Sequence, residues 1–150
     1  MSKIKVSENF YLDEFIDPTT YNKFGINSLR YIDENIIKAV QYLRTALDMP
    51  ITVNNWATGG PYQESGLRNF ETSTGAKYSA HKFGKAADLK IGKLTSYEMC
   101  NLVKKHEEEL LKIGIKRMEA PEYTVGKNRS WLHLDTCYNG GLNEIILIKP

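Results

Sequence analysis

Ten residues constrain this chain more than any others: Ser79-Ala80-His81-Lys82-Phe83-Gly84-Lys85-Ala86-Ala87-Asp88. They hold one of only three histidines, and a carboxylate follows seven positions later, across a glycine and two alanines. Glycine permits a tight turn after the imidazole, and the alanines leave room beside it. Lys85 to Ile91 then alternates as a strand, with Ala86, Asp88 and Lys90 on one face and Ala87, Leu89 and Ile91 on the other. Asp88 therefore projects back towards His81. Far downstream, Trp131-Leu132-His133-Leu134-Asp135 alternates as well, and Trp131, His133 and Asp135 share a face.

Two imidazoles and a carboxylate form a donor set that suits a catalytic zinc, which keeps its fourth position open. The expectation is that His81, Asp88 and His133 converge on one divalent cation, zinc, one per chain. Asp135 is placed to orient the ligand His133 from behind. Water on such a cation can reach a pKa of about 7 and attack a polarised carbonyl. A nearby carboxylate must take its proton and hand it to the leaving amine. Glu119, in Arg117-Met118-Glu119-Ala120-Pro121, is the first candidate and Glu122 the second. Arg68, in Ser65-Gly66-Leu67-Arg68, can fork onto a substrate carboxylate or carbonyl. Ser79 supports the site or binds substrate. His106 reads as an ordinary residue on the exposed face of its helix, and Trp131 as core more than as a substrate platform.

The scaffold follows from periodicity. At 150 residues the chain is one domain, large enough to bury a core. The aromatics before Asn27 read as packing anchors around a short helix near Leu12 to Ile16, with loop about it. From Ser28, the residues Ile32, Ile36, Val40, Leu43 and Leu47 lay an apolar stripe along a helix that Asp48-Met49-Pro50 ends. Ile51-Thr52-Val53 is a short strand, and the polar, glycine-rich run from Asn54 to Tyr78 reads as a groove wall. Thr95-Ser96-Tyr97-Glu98 has the residues of a capping box, opening a helix that runs to Ile113, with Gly114 as its C-cap. Strands are expected over Ile115 to Ala120, Trp131 to Tyr138 and Ile145 to Ile148, the last two joined as a hairpin through Asn139-Gly140-Gly141. The sum is an α+β domain with helices packed on a small antiparallel sheet.

Composition excludes several roles. A formal net charge of +2 with scattered lysines argues against a nucleic-acid surface. No apolar core follows Met1-Ser2-Lys3-Ile4-Lys5-Val6, and no run is long enough to span a bilayer, so neither a secretory signal nor a membrane partner is expected. Cys100 and Cys137 read as buried free thiols of a protein made in a reducing compartment, although sequence leaves open whether they approach each other.

Ser79-x-His81-x-x-Gly84-x-Ala86-x-Asp88, with Trp131-x-His133 downstream, resembles the zinc D-alanyl-D-alanine carboxypeptidase family. That family includes endolysin and L-alanyl-D-glutamate peptidase relatives and shares the hedgehog/DD-peptidase fold. The resemblance covers about Ile51 to Tyr138. It implies zinc on His81, Asp88 and His133, hydrolysis of peptide bonds in bacterial cell-wall stem peptides, and a substrate or transition-state role for Arg68. One position departs: where studied members place the catalytic acid, three residues before the second histidine, this chain has Ser130. Glu119 looks like the replacement found in phage-associated relatives with an Arg-Met-Glu segment. The leading expectation is a peptidoglycan peptidase of a phage or prophage, made in the cytoplasm and acting at the wall after release or from a virion, where other virion proteins would be its partners. The competing readings are a non-catalytic zinc-binding module of a virion and an interaction domain without metal.

Overall fold

A computed structural model describes residues 3–150; Met1 and Ser2, where the reading of the N-terminal segment begins, lie outside the described residues. Among the described residues, four helices pack on a five-stranded sheet, so the α+β class holds. The helices are α1 (Pro18–Phe24), α2 (Glu34–Leu47), α3 (Ser96–Lys105) and α4 (Glu107–Ile113). The strands are β1 (Ile51–Thr52), β2 (Ala86–Ile91), β3 (Arg117–Glu119), β4 (Leu132–Asp135) and β5 (Ile146–Ile148), in the spatial order β1-β2-β4-β3-β5.

The apolar stripe of α2 is buried through Ile36, Ile37, Val40 and Leu43. The helix starts later than Ser28 because Asp33 caps it, accepting the Asn35 amide at 2.9 Å. A 3-10 turn, Gly25–Tyr31, fills the interval. The other carboxylate oxygen of Asp33 accepts the Thr136 hydroxyl at 2.8 Å, tying the head of α2 to the end of β4. Thr95 and Glu98 close the capping box of α3, through bonds of 3.2 and 2.8 Å. Phe10, Phe15 and Tyr21 are buried, as packing anchors should be.

Several expectations need correction. The sheet is mixed, because β5 runs parallel to β3 and does not form a hairpin with β4. Both edges of β4 are already taken by β2 and β3. The Asn139 amide closes the intervening loop by donating to the Leu142 and Glu144 carbonyls, and the chain passes on to the free edge of β3. Residues 18–24, read as loop, form α1. Asp17 accepts the Thr20 amide at 2.9 Å and Pro18 takes the first helical position, where a missing N–H costs nothing. The expected single helix to Ile113 breaks at His106. This histidine is half-buried, not exposed, and its Nδ1 lies 2.8 Å from the Tyr42 hydroxyl. Glu107, Glu108 and Glu109 then open α4, where acidic side chains suit the positive end of a helix.

Candidate metal centre

The register of three antiparallel strands assembles the site. Asp88 on β2 pairs directly with His133 on β4, and Ala86 pairs with Asp135. Arg117 on β3 pairs with Asp135 from the other side, so the same register sets Glu119 level with His133. Two rows therefore cross one face of the sheet: Asp88–His133–Glu119 and, one step along, Ala86–Asp135–Arg117. The alternate residues Ala87, Leu89, Leu132, Leu134 and Met118 are buried in the core.

His81 arrives from a separate element, the 3-10 turn Ala80–Phe83. Ser79 caps this turn, its hydroxyl accepting the His81 amide at 3.3 Å. Gly84 ends it at φ +69°, and a Cβ there would collide with the Tyr31 carbonyl, so both conformation and space require glycine.

Three atoms then converge. His81 Nε2 lies 3.2 Å from His133 Nδ1 and 3.2 Å from Asp88 Oδ1, and His133 Nδ1 lies 3.0 Å from the same oxygen. A tetrahedral zinc with bonds of about 2.0–2.2 Å separates its ligand atoms by about 3.3–3.6 Å, so this triangle is within a few tenths of an ångström of a tetrahedral face. The far side of each imidazole fixes its tautomer. His81 Nδ1 faces the Gly66 carbonyl at 2.9 Å, and His133 Nε2 faces Asp135 Oδ2 at 3.0 Å. Carbonyl and carboxylate oxygens only accept, so each of these nitrogens carries its proton. In the neutral rings, two bare nitrogen lone pairs and a carboxylate oxygen then point at one another, and only a cation relieves that arrangement. The residues fit a metal ion: His81, Asp88 and His133 form a group able to hold one.

The electrostatics agree. Burial alone would raise the Asp88 pKa, yet the charges of His81 and His133 and their hydrogen bonds hold it well below the usual carboxylate range. Burial alone would lower His133, but Asp135, Asp88 and Glu119 outweigh it and push the ring up to about 10. Without a metal, a proton on His133 supplies the missing cation. Asp135 is fully buried and accepts both Nε and Nη2 of Arg117, at 2.8 and 2.9 Å, while the Cys137 amide donates to it at 3.0 Å. Despite burial, its bonds to His133 and Arg117 hold it ionised.

Glu119 reaches the site, with Oε1 3.8 Å from His133 Nδ1. Burial pushes its carboxyl pKa up, His133 pulls it down and Asp88 adds to the rise. Arg68 donates Nε to the Glu64 carbonyl at 2.7 Å and Nη2 to Asp88 Oδ2 at 3.3 Å, so it holds the second oxygen of a metal-ligand candidate. Arg68, Ser79, Glu119 and Trp131 all line one cavity of about 430 Å³ with the three ligand candidates at its wall. Trp131 thus stands on the groove and not in the core. Thr74, Gly75, Ala76 and Tyr78 complete a wall from the glycine-rich segment, as expected of it. Glu122 is exposed on the turn Pro121–Tyr123, outside this lining. A larger depression of about 590 Å³ beside Glu107, Lys112 and Leu142 contains no histidine or cysteine.

Arg117 and the Gly66 carbonyl were missed in the sequence. Arg117 was open to the alternation rule, standing two positions before Glu119 on a strand. The Gly66 contact had no local signal. Both cysteines are free, Cys100 buried and Cys137 half-buried.

Fold and site together define an α+β domain with a His-Asp-His group able to hold a metal ion. Compared with protein-family models, curated proteins and solved structures, the chain matches none. Among the described residues no helix is long and apolar enough to cross a membrane.

Proposed function

We propose that this chain is a zinc metallopeptidase of the hedgehog/DD-peptidase fold that hydrolyses peptide bonds in peptidoglycan stem peptides or cross-links, acting as a phage or prophage lysin or a virion-associated enzyme. The observation that carries the reading is the convergence of one nitrogen from each imidazole and the Asp88 carboxylate beside Glu119, at the wall of an open cavity.

Zinc, when bound, supplies the Lewis acidity that polarises a carbonyl and acidifies water. Asp135 and the Gly66 carbonyl keep the protons of His133 and His81 on the nitrogens that face away from the site. Arg117 keeps Asp135 ionised for that task. Glu119 accepts a proton from the attacking water at its carboxylate and delivers it to the leaving amine, a duty favoured by the rise in pKa that burial causes. Arg68 steadies Asp88 through its outer oxygen and borders the space the substrate enters.

A non-catalytic zinc module would follow if no carboxylate approached the site in place of Ser130; the 3.8 Å approach of Glu119 to His133 favours catalysis. The test is digestion of purified cell walls followed by mass spectrometry of the released muropeptides. Peptide cleavage that a chelator and Glu119→Gln each abolish is the expected result. Intact walls with tightly held zinc would assign the module.

A further inference from the structure

The glycine-rich wall of the metal cavity meets the Arg68 guanidinium at one point. Gly75 sits at φ +74°, in the left-handed region, and a Cβ built on it would stand 2.6 Å from Arg68 Nη1. Both residues line the cavity that holds the metal-ligand candidates. Glycine is therefore needed twice at this position, for the backbone conformation and for the space the guanidinium fills.

Arg68 depends on that space. Its Nε is fixed on the Glu64 carbonyl at 2.7 Å and its Nη2 on Asp88 Oδ2 at 3.3 Å, and Nη1 makes no hydrogen bond among the described residues. The side chain is only 12% exposed, so a long arm with much rotamer freedom to lose is held in one place. The backbone on the other side of the contact is pinned around Gly75. The Thr72 carbonyl accepts the Lys82 ammonium at 3.1 Å, the Thr72 hydroxyl accepts the Thr74 amide at 3.2 Å, and the Ala76 carbonyl accepts the Ser79 amide at 3.1 Å. A side chain at position 75 would press a tied backbone against the end of a flexible arm, so the guanidinium is what moves. The longer of its two bonds, the one to Asp88, gives way first.

We propose that Gly75 is a positioning residue: its bare α-carbon seats the Arg68 guanidinium between residues 74–76 and Asp88, leaving Nη1 available to a substrate oxygen in the cavity. Gly75 touches neither the metal ligands nor the reacting atoms, and it acts only through Arg68. The kinetic consequence rests on the peptidase reading, whereas the seating of the guanidinium does not.

The test compares Gly75→Ala with Gly59→Ala. Gly59 also has a positive φ, +88°, but nothing lies within 4 Å of a Cβ there, so its variant reports backbone strain alone. Hydrogen exchange of the Arg68 Nε–H is read by NMR in the parent and in both variants. Gly75→Ala should speed it about tenfold, the scale of one charge-assisted hydrogen bond, and Gly59→Ala should leave it unchanged. In the zinc-loaded protein, kcat/KM for a wall-derived stem peptide should also fall about tenfold in Gly75→Ala. Adding Gly75→Ala to Arg68→Ala should cost nothing further, because the two changes act through one guanidinium. Unchanged exchange in Gly75→Ala, an equal rise in Gly59→Ala, or an undiminished kinetic loss in the Arg68→Ala background would overturn the assignment. A parent that cleaves no wall peptide would remove the peptidase reading; the exchange measurement, which needs neither substrate nor zinc, would still decide the role of Gly75.

Discussion

Each candidate ligand histidine is held by an acceptor on its far nitrogen, and that single bond determines what the near nitrogen can do. Asp135→Asn offers His133 an amide that can donate as well as accept, so the tautomer is no longer fixed. Zinc affinity should fall about 10- to 100-fold, measured by competition with a chromophoric chelator. Arg117→Met removes two of the donors to a fully buried carboxylate. Arg117 itself is only partly buried, which places the loss at the lower end for broken buried pairs, about 3 kcal/mol by urea denaturation. pH should matter in a fixed direction. The metal-free His133 holds its proton up to about pH 10, so below that value zinc must displace it. Apparent zinc affinity should therefore rise about tenfold for each pH unit from 6 to 8, with release of one proton, readable by calorimetry in buffers of different ionisation enthalpy.

At the scale of elements, the site is a consequence of register. Asp88, His133 and Glu119 sit in one row across β2, β4 and β3, and slipping any strand by one residue would turn its polar side chain into the core. The turn Ala80–Phe83 must meet that row at the right height, which Gly84 secures. Gly84→Ala should displace His81 from the Tyr31 side, lowering both the unfolding midpoint and zinc uptake; unchanged zinc affinity would show that the turn tolerates the strain. Alternation made the facing of Asp88, His133 and Asp135 legible in the sequence, because a strand has period two. The pairing of β2 with β4 was not legible, since no local pattern says which strands become neighbours. The hairpin expected at Asn139-Gly140-Gly141 failed for that reason: a turn signal marks a change of direction, and the occupied edges of β4 decided where the chain went next. In α1, Asp17-Pro18 is a helix start, which the same two residues in a turn would resemble.

Across the whole molecule, helices cover one face of the sheet and the other face lines the cavity, so the core and the chemistry are separate surfaces of the same strands. A ligand that binds only this folded arrangement stabilises it by mass action. Zinc at about 100 times its dissociation constant should contribute about 2.7 kcal/mol, or about 5–10 °C in Tm for a chain of this length. Reducing agents should leave Tm unchanged, because both thiols are free. The most direct test of the metal centre is zinc content by plasma mass spectrometry, for the purified chain and for His81→Ala, Asp88→Ala and His133→Ala. One zinc per chain in the parent and little in each variant is the predicted result. A parent that retains no zinc at micromolar supply, or variants that keep all of it, would contradict a shared cation at these three side chains.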